Sequence, residues 1–135
     1  MRYLIILSAA LAAVSGSARA QQPADFQTSF AAEAKQSDPA FAGFSATRGE
    51  QFFFSRHGGD WSCSSCHTDS PVAAGKHVVT GKPIEPLAPS ANPQRFTSPD
   101  KVEKWFKRNC NDVLKRSCTP QEKGDLLAYL LTTGK

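Results

Sequence analysis

The sequence predicts an all-α domain interrupted by one long irregular loop, and three observations carry that expectation. Apolar residues recur at three- and four-residue spacing in separate segments, the mark of a helix with one buried face. Two of these segments open on a hydroxyl residue followed by proline, Ser98-Pro99 and Thr119-Pro120, which is a helix start. Six of the nine prolines lie between Pro71 and Pro99, a stretch that no helix can run through. The 135 residues suffice for one small domain and show no internal repeat.

Taken in order, residues 1–20 read as a leader that is removed. Arg2 gives a positive start, Tyr3 to Val14 is nearly continuous apolar sequence, and Ala18-Arg19-Ala20 has the small-x-small form of a cleavage site. The apolar run of about 12 residues falls short of the roughly 20 that span a bilayer, so the expected mature domain, 21–135, has no membrane span and resides in the periplasm. A first helix is expected over Pro23 to Gln36, with Phe26, Phe30 and Ala34 on one face and Asp38-Pro39 ending it. A second starts near Ser45, runs through Gly49, Phe52 and Phe53 to about Arg56, and stops at Gly58-Gly59. After the Pro-rich loop, Ser98 is placed to cap a third helix carrying Val102, Trp105, Phe106 and Val113, with Asp100 complementing its positive end. Thr119-Pro120-Gln121-Glu122 is a capping box for a last helix through Leu126, Leu127, Leu130 and Leu131.

Between the second helix and the loop stands Cys63-Ser64-Ser65-Cys66-His67. C-x-x-C-H is the pattern at which haem is attached covalently: each thiol can close a thioether, and the histidine is placed to bind iron. A bare C-x-x-C also serves redox dithiols and zinc sites, but no second ligand pair follows at zinc spacing. An exported chain carrying C-x-x-C-H reads as a c-type cytochrome with one covalently bound haem c. The porphyrin would supply apolar core that so short a chain lacks. Of the four cysteines, Cys110 and Cys118 remain; in an oxidising compartment they read as a disulfide closing a short loop, the alternative being two buried thiols.

The formal charge of +4 includes Arg2 and Arg19 and falls by those two to +2 on cleavage, too mild for a nucleic-acid binder. It is uneven, however. Lys101, Lys104, Lys107, Arg108, Lys115, Arg116 and Lys123 face only Glu103, Asp112 and Glu122 in one stretch. This is either a solvated face or a docking patch for an acidic redox partner.

The only methionine is Met1, so the common His–Met ligation of iron is excluded in the mature chain. The sixth position is then empty, or held by His57, His77, a lysine or a rarer donor. Asn109 falls four residues after Trp105 and seven after Val102, on the expected apolar face. A carboxamide buried there needs a partner, and iron or backbone would both serve.

The run from Cys63 onward resembles the cytochromes c double-prime and, more closely, the sphaeroides haem protein (SHP) group. The matching residues are Cys63-Ser64-Ser65-Cys66-His67-Thr68, Gly75-Lys76, Val79-Thr80-Gly81-Lys82, Pro86-Leu87-Ala88-Pro89, Arg95-Phe96-Thr97, Lys101-Val102-Glu103, Cys110-Asn111-Asp112, Cys118 and Ala128-Tyr129-Leu130-Leu131. The resemblance implies a class I cytochrome c fold with an added N-terminal helix, and a Cys110–Cys118 disulfide. It implies His67 as proximal ligand and Asn109 as a sixth ligand that leaves on reduction, opening iron to oxygen, nitric oxide or carbon monoxide. Cytochromes c double-prime have an iron-binding histidine where Asn109 stands. A dihaem cytochrome c and a membrane cytochrome of the b type are the redox partners it implies. Gly49 and Phe53 look like the contact by which helices cross in class I cytochromes, with Tyr129 as partner. Lys76, Lys82 and Arg95 are candidates to neutralise the haem propionates. Two functions stay open: a gas-binding haem protein fed electrons by another cytochrome, and a simple electron carrier. Whether a bound gas is turned over is open too.

Overall fold

The computed structural model describes residues 19–135. The leader expected over residues 1–20 therefore lies outside the described residues except for Arg19 and Ala20. Five helices and one small hairpin follow in order: α1 Pro23–Ser37, α2 Ala46–Phe54, α3 Cys63–His67, β1 Gly75–Lys76, β2 Pro83–Ile84, α4 Pro99–Leu114 and α5 Pro120–Leu130. The fold is mostly helical, with one helix more than periodicity predicts. The extra one, α3, is the attachment motif itself, too short to show a period. The Pro-rich stretch also differs from an entirely irregular loop, because β1 and β2 pair antiparallel, with Gly75 opposite Ile84 and Lys76 opposite Pro83.

Local signals account for the helix ends. Pro23 occupies the first turn of α1, and the Gln22 amide donates to the Asp25 carboxylate at 2.7 Å. Ser45 caps α2, its hydroxyl accepting from the Arg48 amide at 3.2 Å. The capping box of α5 is complete: Glu122 N–H donates to Thr119 Oγ1 and Thr119 N–H to Glu122 Oε2. At α4 the expected cap is only half present. Ser98 has the extended backbone of an N-cap, yet its side chain makes no capping bond, and the helix is started by Pro99 and the Ser98 carbonyl, which accepts from Val102.

Helices α2 and α1 both pack closely on α5, and the core lies where they meet: Phe26, Phe30, Phe53, Leu126, Leu127 and Leu130. The α2–α5 contact is backbone to backbone. A Cβ on Gly49 would overlap the Asp125 carbonyl and come within 2.9 Å of the Tyr129 Cβ, and the Phe53 and Tyr129 rings stand 5.6 Å apart. Beneath this crossing the Asp125 carboxylate, 4% exposed as a residue, accepts from the Ser45 amide at 2.7 Å and from Arg48 Nε and Nη2 at 2.8 Å each. Both of its oxygens are thus hydrogen-bonded, which is the condition for burying such a group.

Helix α4 is attached differently. It makes no comparably close backbone packing with another helix. Rings hold it at a distance: Phe106 stands 5.6 Å from Phe30 and 6.3 Å from Phe96. Lys123 on α5 pairs with Glu103 at 2.8 Å while lying over the Phe30 and Phe106 rings. At its far end Cys110 and Cys118 are bonded, Cα to Cα 5.6 Å, tying α4 to the start of α5. Among the described residues no helix is long and apolar enough to cross a membrane.

Because the α2–α5 crossing has no room for a methyl group, Gly49→Ala is expected to destabilise the haem-loaded protein by about 1–3 kcal/mol. Thermal unfolding followed by far-ultraviolet circular dichroism checks this, with Glu50→Ala, an exposed neighbour, unchanged.

Candidate haem-attachment site

Helix α3 is a single turn made by its own serines. Ser62 is buried at its N-cap; its Oγ accepts from the Ser65 amide at 3.3 Å, and Ser65 Oγ accepts from the Ser62 amide at 3.0 Å. This reciprocal cap is what lets five residues hold a helical turn. In that turn Cys63 and Cys66 stand three residues apart, so both sulfurs project from one side, with His67 next to them. The two thiols are not joined to each other.

Burial acts on Cys63 and His67 in opposite directions. Burial pushes the Cys63 thiol up to about 12, its own helix amide opposing and Cys66 adding to the rise, so it is a neutral thiol at ordinary pH. Burial, then the positive charge of Arg95, pushes His67 down to about 4. A neutral imidazole offers a lone pair, and the His67 ring makes no hydrogen bond with the described residues. Among those residues no three His, Cys, Asp or Glu side chains converge to cage a bare metal ion. The donor set thus fits a group that brings most of its own ligands, as haem does, and does not fit zinc.

The loop after His67 is pressed onto this turn. Thr68 takes a left-handed backbone, φ 62°, and its hydroxyl both donates to the Ser70 carbonyl and accepts from the Ser70 amide. A Cβ on Gly75 would overlap the Cys66 carbonyl, so β1 can lie against the turn only as glycine. The Val78 amide donates to Cys66 Sγ at 3.4 Å. Farther along, Phe96 also takes a left-handed backbone, φ 56°, which sends its ring into the core between Phe26 and Phe106. Its neighbour Arg95 stays half-buried and donates to the Pro86 carbonyl through Nε at 2.9 Å and to the Glu85 carbonyl through Nη2 at 2.8 Å.

The structure sorts the other residues singled out by sequence. His57 Nε2 donates to the Phe52 carbonyl at 2.9 Å, tying the ring to the end of α2. His77 Nδ1 accepts from the Val79 and Thr80 amides at 3.2 Å each and so closes the hairpin turn. Lys76 and Lys82 are exposed on that hairpin and make no ion pair among the described residues. Asn109 is exposed, not buried as the spacing predicts. The buried stripe of α4 is Val102, Phe106 and Cys110, the row that meets Phe30 and Phe96. Trp105 and Asn109 lie one step around the helix, and Trp105 is 42% exposed, with Lys104 and Arg108 over its ring. One turn beyond Asn109, the Val113 carbonyl would come within 3.1 Å of a Cβ on Gly59, and Lys115 lies over the Trp61 ring. The last turn of α4 thus abuts the segment that leads into α3. Sequence reasoning missed the Ser62–Ser65 cap and the Gly75 contact. The first was visible as serines three residues apart; the second depends on a neighbour that only folding supplies.

Comparison with known proteins gives concordant matches. A sequence family described as a domain of unknown function (DUF1924) matches residues 39–130. Cytochrome c'' of Methylophilus methylotrophus is 45% identical over 106 residues, 76% of this chain and 74% of that protein. The cytochrome c-type protein SHP of Cereibacter sphaeroides is 46% identical over 134 residues, 96% of this chain and 98% of that protein. The structure of oxidised SHP, an oxygen-binding cytochrome c, superimposes with a TM-score of 0.73 at 44% identity, covering 82% of this chain and 96% of that one.

Arg95 is expected to act as the clasp of the loop facing His67. Arg95→Lys keeps the charge but cannot hold both carbonyls, and should cost about 1–3 kcal/mol in the thermal stability of the haem-loaded protein. A comparable loss in Arg95→Met would show that the bonds, not the charge, matter.

Proposed function

The chain belongs to the c-type cytochrome family of SHP and cytochrome c'', and on that premise we propose that it is an exported monohaem cytochrome that binds small diatomic gases when reduced. In this reading the leader is removed after Ala20 and residues 21–135 form the mature periplasmic domain. Cys63 and Cys66 hold one haem c through thioethers, His67 is the proximal ligand, and Asn109 is the sixth ligand of the oxidised protein. Bound haem supplies a one-electron iron couple and, where the iron has an open position, affinity for oxygen, nitric oxide or carbon monoxide. Electrons arrive from another cytochrome, a dihaem cytochrome c or a membrane cytochrome of the b type.

One observation supports the ligand assignment: methionine is missing from the mature chain, and His57 and His77 are each tied by one ring nitrogen to their own loops. His57 Nε2 bonds the Phe52 carbonyl, and His77 Nδ1 two hairpin amides. Asn109 has no hydrogen-bond partner among the described residues and stands one turn from the contact between α4 and the segment entering α3. The chemistry agrees. A carboxamide is a neutral, hard donor that favours ferric over ferrous iron, so reduction weakens its hold without a proton being taken up. A histidine in its place would couple release to protonation.

The decisive measurement is an anaerobic visible spectrum of the haem-loaded protein, ferric and then dithionite-reduced, before and after carbon monoxide. A high-spin ferrous form that shifts with carbon monoxide is expected. A low-spin ferrous form indifferent to it would mean a retained strong ligand and a simple electron carrier. The ferrous spin state should change little between about pH 6 and 8, whereas Asn109→His should make it titrate across that range. Asn109→Ala should turn the ferric protein high-spin while leaving the ferrous carbon monoxide spectrum unchanged.

A further inference from the structure

We propose that the β1–β2 hairpin is the surface on which an electron-donating protein docks, with Val78 and Val79 at its tip as the apolar contact. The inference rests on the proposed reading that Cys66 carries haem, and it adds where the electron enters. Val79 is 65% exposed and Val78 46%, the two highest exposures among the large hydrophobic residues described and the only such pair adjacent in sequence. Their exposure is not slack. The His77 amide donates to the Lys82 carbonyl at 2.8 Å, the Gly81 amide to the His77 carbonyl at 2.9 Å, and the His77 ring takes the Val79 and Thr80 amides. A turn so braced presents apolar surface in one shape, and a partner need not order it on binding.

The hairpin leads to the redox centre by a short route. Val78 N–H donates to Cys66 Sγ, the sulfur that joins haem, and Gly75 lies against the Cys66 carbonyl. Its charge defines the partner. Residues 75–84 carry Lys76 and Lys82, both exposed, and no acidic residue. The fitting partner is an acidic one-electron donor whose apolar contact is ringed by carboxylates. One electron leaves the reduced donor and the ferric protein gains it.

The richer basic stretch on α4 and α5 is the weaker candidate because its cations are engaged within the chain. Lys104 and Arg108 lie over Trp105, Lys115 over Trp61, Arg116 pairs with Glu122 and Lys123 with Glu103. Only Lys101 and Lys107 of that stretch have no such engagement among the described residues.

The test is rapid reduction of the ferric haem-loaded protein by two donors: flavodoxin hydroquinone, an acidic protein, and lumiflavin semiquinone, a small uncharged one. Val79→Asp and the pair Lys76→Glu, Lys82→Glu should each slow the flavodoxin reaction by roughly tenfold at low salt, the gap closing as salt rises. In Val79→Asp the lumiflavin rate and the ferrous carbon monoxide spectrum should stay as in the unaltered protein. An unchanged flavodoxin rate overturns the proposal, as does an equal or larger loss in Lys101→Glu, Lys107→Glu. A shifted carbon monoxide spectrum in Val79→Asp also overturns it, by showing that the tip covers haem. Failure of the unaltered protein to bind carbon monoxide would count against the gas-binding reading alone, since the ratio of rates remains measurable.

Discussion

The crossing of α2 over α5 at Gly49 is the contact from which the position of the attachment turn follows. Asp125 works there twice. Its carbonyl meets the Gly49 backbone, and its carboxylate holds the first turn of α2 through Ser45 and Arg48. One residue of α5 thus sets both the distance and the rotation of α2. Phe53, fully buried against Tyr129, fixes the other end. Since α2 stops at Phe54 and the chain reaches Cys63 through a turn pinned by His57 on the Phe52 carbonyl, the attachment turn inherits its place from this crossing. The close backbone approach leaves no slack to absorb a shift, which is why cores transmit strain instead of dissipating it.

The two sides of the site are held by different physics. On the side of His67, main chain lies on main chain: Gly75 on Cys66, the Val78 amide on Cys66 sulfur, and Arg95 gathering the carbonyls of Glu85 and Pro86. On the other side, α4 is braced by aromatic edges, one lysine–glutamate pair and a disulfide, with no close helix packing. The Gly75 contact resists displacement sharply because it is steric, and the part-buried bond from Arg95 to the Pro86 carbonyl adds to it because its loss leaves a group unsatisfied. Ring contacts 5 to 6 Å apart yield more gently, each being worth about 0.5–1.5 kcal/mol beyond burial.

What could be read in advance follows the same division. Pro23, Ser45, Pro99 and the Thr119–Glu122 box mark helix starts through bonds made within one turn, so they were legible. Phe26, Phe30 and Ala34 likewise gave the buried face of α1. The hairpin was hidden because its strands are two residues long and its first glycine is required by Cys66, nine residues earlier. The facing of α4 was misjudged because Trp105 looks like core by spacing alone. Its row was decided by Phe30 and Phe96, residues distant in sequence, and Trp105 instead took Lys104 and Arg108 onto its ring. The basic stretch is a related case, since a count of charges does not say which of them are already paired.

The redox-labile ligand proposed at Asn109 would need the asymmetry that these attachments supply. If both ligands sat on rigid backbone, oxidation and reduction would change the bond strengths but not the coordination. If both sat on yielding elements, iron would lose its fixed partner. His67 stands in a capped turn wedged between α2 and the hairpin, while Asn109 stands on the helix held at arm's length, directly before the disulfide that limits how far it can move. In the proposed reading, a neutral carboxamide on the yielding side would let the change of one charge at iron decide whether the ligand stays. On the proposed reading an imidazole in place of the Asn109 carboxamide would add a proton to that decision, so Asn109→His would convert an electron-only switch into a proton-coupled one.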